Sequence, residues 1–134
     1  MLPKTHFIWS VALAIILGVL GFLDLFQALA FVFGGVLIDT DHWLWFVFNK
    51  KSFSLKKAYK WHYKLYINRV RGNMLQIFHT IESFAVIVLL TFVHPIFFYV
   101  FLGMAFHLLL DLVQAYDHGF YGKEVSLIYY LIKK

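Results

Sequence analysis

The chain has no cysteine, only two prolines, and little charge: 14% of its 134 residues are Asp, Glu, Lys or Arg. Without cysteine there are no disulfides, thiolate metal sites or cysteine nucleophiles, so any metal must rest on histidine and carboxylate. The scarcity of charge excludes more. Soluble domains are about 25% charged and about 45–50% apolar, whereas 62% of this chain is apolar and 21% aromatic. That leaves too little polar surface to face water. Disordered and multidomain organisations are excluded on the same composition. The expected class is therefore all-α and polytopic, a single membrane-embedded domain over residues 1–134. Its glycines form neither a Gly-x-x-x-x-Gly-Lys nor a Gly-x-Gly-x-x-Gly pattern, so no phosphate loop is expected.

The apolar runs suggest four spans. Between Phe7 and Ile38 the only charge is Asp24, and a helix of that length would reach about 48 Å, against a hydrocarbon core of about 30 Å. A hairpin turning near Gly21–Asp24 accommodates it as helices over about 7–23 and 25–48. The third span reads from about 75 to 93, and His94-Pro95 marks a turn. The fourth covers about 96–116. Lys4, the apolar run and Ala28-Leu29-Ala30 imitate a signal peptide, but the run is too long and stays apolar afterwards, so an uncleaved first helix is expected.

Charge orients the bundle. The twelve basic residues lie before the first span, in the 49–74 loop or after the last span, and none lies in the two opposite turns. The positive-inside rule then places both termini and the loop in the cytoplasm of a multi-pass inner-membrane protein. The loop carries Trp61, Tyr63 and Tyr66 among its lysines, which suits contact with anionic membrane lipids as well as a purely topogenic role. No RNA- or DNA-binding motif accompanies the charge, so nucleic acid is not an expected partner. The oligomeric state is left open.

Ionisable groups within the spans are costly and carry the functional signal. The second span holds Asp39-Thr40-Asp41-His42, the third His79-Thr80-Ile81-Glu82-Ser83, and the fourth His107 and Asp111, followed by Gln114 and His118. His107, Asp111, Gln114 and His118 share one helical stripe, and so do His79, Glu82 and Ser83. In a regular helix Asp41 would point away from Asp39, so either the helix breaks at Thr40 or one of the two carboxylates stands back from the site. Measured from the cytoplasmic ends, Asp39 and His42 lie roughly 9–14 Å deep, His79 and Glu82 roughly 6–10 Å, and His107 and Asp111 roughly 8–13 Å. Three helices thus deliver ligand-type groups to one layer, and His6 enters that layer from the first. His94 lies on the far side, and His62 reads as a solvated loop histidine.

Such a layer suits divalent metal, more than one ion, with Zn expected and Mn or Fe compatible with the same donors. The expected ligands are His6, Asp39, Asp41, His42, His79, His107, Asp111 and His118, with Glu82 as general base or bridging group. Metal-activated water and a clamp on phosphate oxygens point to hydrolysis of a phosphate ester, and the membrane setting points to a lipid or other amphiphile as substrate. The alternative is a transporter for divalent cations or protons. It would need polar positions continuing to the far side, where the chain offers mainly Phe, Val and Leu. A bis-histidine haem site on His79 and His107 would leave Asp39, Asp41, Glu82 and Asp111 without a role.

In their order and spacing, His6, Asp39-Thr40-Asp41-His42, His79-Thr80-Ile81-Glu82 and His107-Leu108-Leu109-Leu110-Asp111 resemble the motifs of the YdjM-type inner-membrane metal-dependent hydrolases, over about residues 6–118. The resemblance implies a membrane metal hydrolase, remotely similar to the all-helical zinc phospholipase C and P1 nuclease group, in which His and Asp from several helices bind zinc. The chain departs from the family pattern in two places. Leu37-Ile38 precedes the acidic pair where many members have proline, and the middle segment has no clear first histidine, His62 being the displaced candidate.

Overall fold

The structure, a computed structural model, describes residues 3–68 and 76–118, without the side chains of Tyr66, Ala115, Asp117 and His118. The expected ligand His118 and the end of the basic loop, residues 69–75, therefore lie outside what is described. In chain order the elements are α1 (Pro3–Val19), α2 (Leu25–Leu37), α3 (Thr40–Lys50), α4 (Leu55–Ile67), a 3-10 turn (Ile77–His79), α5 (Ile81–Thr91) and α6 (Ile96–His118). Among the described residues there is no strand. Two segments, Leu25–Lys50 and Ile96–Gln114, are long and apolar enough to cross a membrane, and α1 and α5 are shorter apolar helices.

Each turn has a local cause. Gly21 adopts φ +79°, a conformation open to glycine, and turns the chain out of α1. Asp24 then caps α2: its carboxylate accepts from Gln27 N–H at 2.8 Å, while the Gln27 side chain accepts from Asp24 N–H at 3.0 Å. The lone charge of the first apolar run is thus a cap at a turn and not a buried ion. At the other hairpin, His94 Nδ1 accepts from Ile96 N–H at 3.1 Å, in front of the first turn of α6.

The helices pack along single stripes in which small residues mark the closest approach. His6, Ser10 and Ala14 on α1 are buried, as are Phe31, Gly34 and Gly35 on α2 and Val100, Gly103, Met104, His107 and Asp111 on α6. These spacings of three and four residues each define one helix face. A Cβ on Gly34 would overlap the Val100 carbonyl, and one on Gly103 would overlap the Phe31 carbonyl. α2 and α6 therefore meet backbone to backbone, as membrane helices do when small residues let them approach. The apolar core is small, with Ile38, Val100 and Met104 at its centre and Phe78, Phe84 and Ile87 packed around it. Large side chains such as Val19, Phe22, Phe26, Leu89 and Phe92 are instead exposed over the outer faces.

Two expected helices are divided. The one over 25–48 tightens at Ile38-Asp39: Asp39 N–H reaches Val36 O and His42 N–H reaches Asp39 O, each at 3.2 Å, and the Thr40 hydroxyl donates to Leu37 O at 2.6 Å. These three-residue bonds overwind the helix locally and turn both Asp39 and Asp41 inward. The helix is thus interrupted at Ile38-Asp39, directly before Thr40, and Asp41 nonetheless stands one step back from Asp39, holding His79. The helix expected over 75–93 begins as the 3-10 turn, and α5 starts only at Ile81 because Thr80 is extended, at φ −89° and ψ 154°. Thr80 and Ser83 hydroxyls both donate to Ile77 O, at 2.8 and 2.7 Å, and hold that turn. The loop expected over 49–74 contains α4, whose Trp61 stacks on Trp45 of α3 with ring centres 5.1 Å apart.

Candidate metal centre

Four elements bring histidine and aspartate into one buried cluster. α1 contributes His6, the tightened turn before α3 contributes Asp39, the 3-10 turn contributes His79, and α6 contributes His107 and Asp111; all five are buried, His6 and His107 completely. His6 and His107 lie face to face, ring centres 3.6 Å apart and planes within 12°, and the His79 ring stands edge-on to His107 at 5.2 Å. His6 Nε2 is 3.2 Å from Asp111 Oδ1, His79 Nε2 is 3.6 Å from Asp111 Oδ2, and His107 Nε2 is 3.7 Å from Asp39 Oδ1 and 3.8 Å from Asp111 Oδ2.

The hydrogen bonds decide which imidazole nitrogens face inward. His107 Nδ1–H donates to the Gly35 carbonyl at 2.8 Å. His79 Nδ1–H donates to Asp41 Oδ2 at 2.9 Å. Both rings therefore present Nε2 to the cluster, the arrangement in which a metal-binding histidine is oriented through its other nitrogen. Gly35 lies in the glycine-lined crossing of α2 and α6, so the close contact that packs the helices also sets the tautomer of His107.

The donors fit a cation. His6 Nδ1 and Nε2, His107 Nε2 and Asp39 Oδ2 are buried and make no hydrogen bond to any of the described residues, although buried polar atoms are nearly always paired. His6, His107 and Asp111 could hold an ion together, as could Asp39, His79 and His107, the ligand atoms of each trio lying within 4.8 Å of one another. His107 belongs to both trios, so the two form one continuous cluster. Three imidazoles and two carboxylates make a donor set suited to zinc, iron or manganese.

Asp41 and His42 stand beside this cluster. With His79 they form a third trio of suitable spacing, but hydrogen bonds already engage them. Asp41 Oδ1 accepts from His42 Nδ1–H at 2.6 Å, its Oδ2 accepts from His79 and from Phe78 N–H at 3.1 Å, and His42 Nε2 accepts from the Gln76 amide at 3.2 Å. Gln76 was missed by the sequence reading. Its signal was faint: a polar residue three positions before His79, at the mouth of the third apolar segment.

His62 departs from its expected solvated state. It is half-buried, its Nδ1–H donates to Ala58 O at 3.0 Å, and its ring stacks on His42 with centres 5.2 Å apart. Burial holds its pKa below the ordinary imidazole range. The reason is α4, which a reading of charge alone treats as exposed loop but which folds its aromatic face onto α3. Glu82 stands outside the three trios. It lines a neighbouring cavity of about 280 Å³ with Leu37, Ile38, Phe78, Val86 and Met104 among its walls. Because Ile38 and Phe78 directly precede Asp39 and His79, the cavity shares a wall with the cluster. His94 is exposed at the far turn. No family model, curated protein or solved structure matches the chain.

Proposed function

We propose that the chain is a four-span membrane hydrolase whose cytoplasm-facing His/Asp centre binds divalent metal, zinc in the first instance, and cleaves a phosphate ester of a lipid or other amphiphile. One observation carries the proposal: His6, Asp39, His79, His107 and Asp111 converge from four elements, and the other nitrogens of His79 and His107 are held by Asp41 and Gly35. Buried imidazoles and carboxylates are too costly in an apolar bundle to serve as ordinary packing. The broad exposed apolar surface supports the membrane setting. The positions of the basic residues support cytoplasmic termini and α4 lying at the headgroup level.

The protein side of the mechanism follows from the geometry. Asp41 orients His79, and the Gly35 carbonyl orients His107, so their Nε2 atoms are pre-aimed and need no reorganisation. His6 and Asp111 close the cluster from opposite helices. When bound, divalent ions would supply Lewis acidity toward phosphoryl oxygen and would acidify water toward neutrality. Glu82, which lines the neighbouring cavity, takes the general-base role in this reading, accepting a proton from a water at the centre. A closed pocket is favoured over a transit path because the buried residues next to the cluster, Ile38, Val100 and Met104, are apolar.

Elemental analysis of detergent-purified protein, beside His107→Ala and Asp111→Ala, tests the centre. Stoichiometric metal in the parent and its loss in both variants is the expected result. Unchanged metal in both variants would remove these residues from the ligand set. Phosphoesterase turnover lost in Glu82→Gln with metal retained supports the hydrolase, and full turnover there would end the role given to Glu82.

A further inference from the structure

The cavity beside the cluster has a direction. On α5 its walls are Glu82, Ser83, Val86 and Ile87, a single face running from the N-terminal end of the helix about 7.5 Å inward. On α6 the wall residue is Met104, three positions and about 4.5 Å further from the cytoplasmic end than His107. Leu37 and Ile38 close it from the end of α2, directly before Asp39. The cavity thus starts at the level of the ligands and descends away from them.

It also opens sideways. Val86 is 55% exposed although it lines the cavity, whereas Met104 at the back is only 3% exposed. The walls are apolar except for Glu82 and Ser83, and the Ser83 hydroxyl is already committed to the Ile77 carbonyl. The outer faces of α5 flanking this opening carry exposed Ile81 and Leu89. An apolar slot that is open to the side of a membrane bundle, begins at a polar cluster and runs toward the bilayer centre has the shape of a phosphorylated amphiphile: head at the ligands, chain in the slot.

We infer that this groove seats one alkyl or acyl chain of the substrate, so that the enzyme takes a lipid phosphate ester laterally from the membrane and not a soluble phosphate from the cytoplasm. This inference rests on the proposed phosphoester site and names its substrate class. The volume of about 280 Å³ equals roughly nine water-sized spaces, at about 30 Å³ each, enough for part of one chain but not for two. Chain length then becomes the specificity signal. Each methylene enclosed by the groove tightens binding about fourfold, and methylenes beyond it add little.

The test uses the full-length protein in nanodiscs and dodecyl phosphate carrying a diazirine near the middle of the chain, within the length that the groove encloses, with labelled residues mapped by mass spectrometry. Saturable labelling of Met104 or Ile87 is expected, since Met104 is buried and lines the groove. Val86→Trp, which fills the opening, should abolish that labelling. Leu89→Trp, on the exposed face of the same helix, should leave it intact. Labelling confined to outward residues such as Leu89 and Phe92, or labelling of Met104 that persists in Val86→Trp, overturns the groove assignment whatever the metal content. Zinc stoichiometry measured on the same preparations reports separately on the metal centre, so failure of one reading is distinguishable from failure of the other. Butyl through octyl phosphate, used as competitors of the label in the parent, should gain about fourfold per methylene, and a flat series there would overturn the groove assignment.

Discussion

Asp41 Oδ2 accepts the Nδ1–H of His79 at 2.9 Å, joining the start of α3 to the 3-10 turn before α5. The other oxygen of the same carboxylate accepts from His42 at 2.6 Å. A carboxylate can serve two imidazole donors because both its oxygens accept, whereas an amide has one accepting oxygen and one donating nitrogen. Asp41→Asn must therefore release one ring or turn a donor against it. The expected result is zinc affinity lowered about 10–100-fold with stoichiometry preserved, read by competition with a chelator. Unchanged affinity would show that Asp41 does not orient the site.

Much of this site was legible in the sequence because ionisable residues stand out in apolar helices and because helical spacing fixes which of them share a face. His107 and Asp111 are four apart on a helix without interruption, so their convergence follows from periodicity alone. The positions of Asp39 and Asp41 do not. Two carboxylates at i and i+2 can face one site only after the local overwinding at Ile38-Asp39, and Thr40 is too common a residue type to announce it. His62 was misread for a related reason: α4 is basic in composition, and its docking depends on Trp45 and Trp61, which lie far apart in the chain. Gly35 illustrates the limit, because its carbonyl orients His107 and a backbone atom leaves no trace in residue type.

The crossing of α2 and α6 gives a stability prediction. A Cβ at Gly34 or Gly103 meets a backbone carbonyl of the opposite helix, which cannot swing aside as a side chain would. Gly34→Ala and Gly103→Ala should each destabilise by about 1–3 kcal/mol or more, seen as a lower thermal midpoint in detergent. Gly18→Ala supplies the contrast. There the added methyl meets Leu23 O at an ordinary 3.7 Å, and the gain in helix propensity, up to about 1 kcal/mol, should leave the midpoint unchanged or slightly raised. Equal losses at all three positions would refute a specific close contact between α2 and α6.

The absence of cysteine makes the four-span topology directly testable, since any introduced thiol reports alone. Lys56 on α4 and His94 in the far turn are both exposed. In inverted membrane vesicles, a membrane-impermeant maleimide should label Lys56→Cys and spare His94→Cys; in intact spheroplasts the pattern should reverse. Labelling of both positions from the same side would leave an even number of crossings between them and remove the topology on which the headgroup-level site depends.

The last prediction concerns what α4 does for the centre. Trp61 sits on Trp45 with planes within 19°, Phe46 flanks it at 6.0 Å, and Lys50 Nζ lies 5.6 Å from its ring centre. Removing the indole in Trp61→Ala should cost about 2 kcal/mol of docking, so the undocked state of α4 rises roughly thirtyfold. Limited trypsin digestion would read this as faster cleavage after Lys56, Lys57 and Lys60. Zinc content should nonetheless stay at the parental value, because His6, Asp39, His79, His107 and Asp111 all come from other elements and Asp41 holds His79 without help from α4. His62 moves with α4, so this variant separates the two roles open to that residue. Metal retained alongside faster cleavage assigns His62 to packing against His42, whereas metal lost in parallel with cleavage would add His62 to the ligand set.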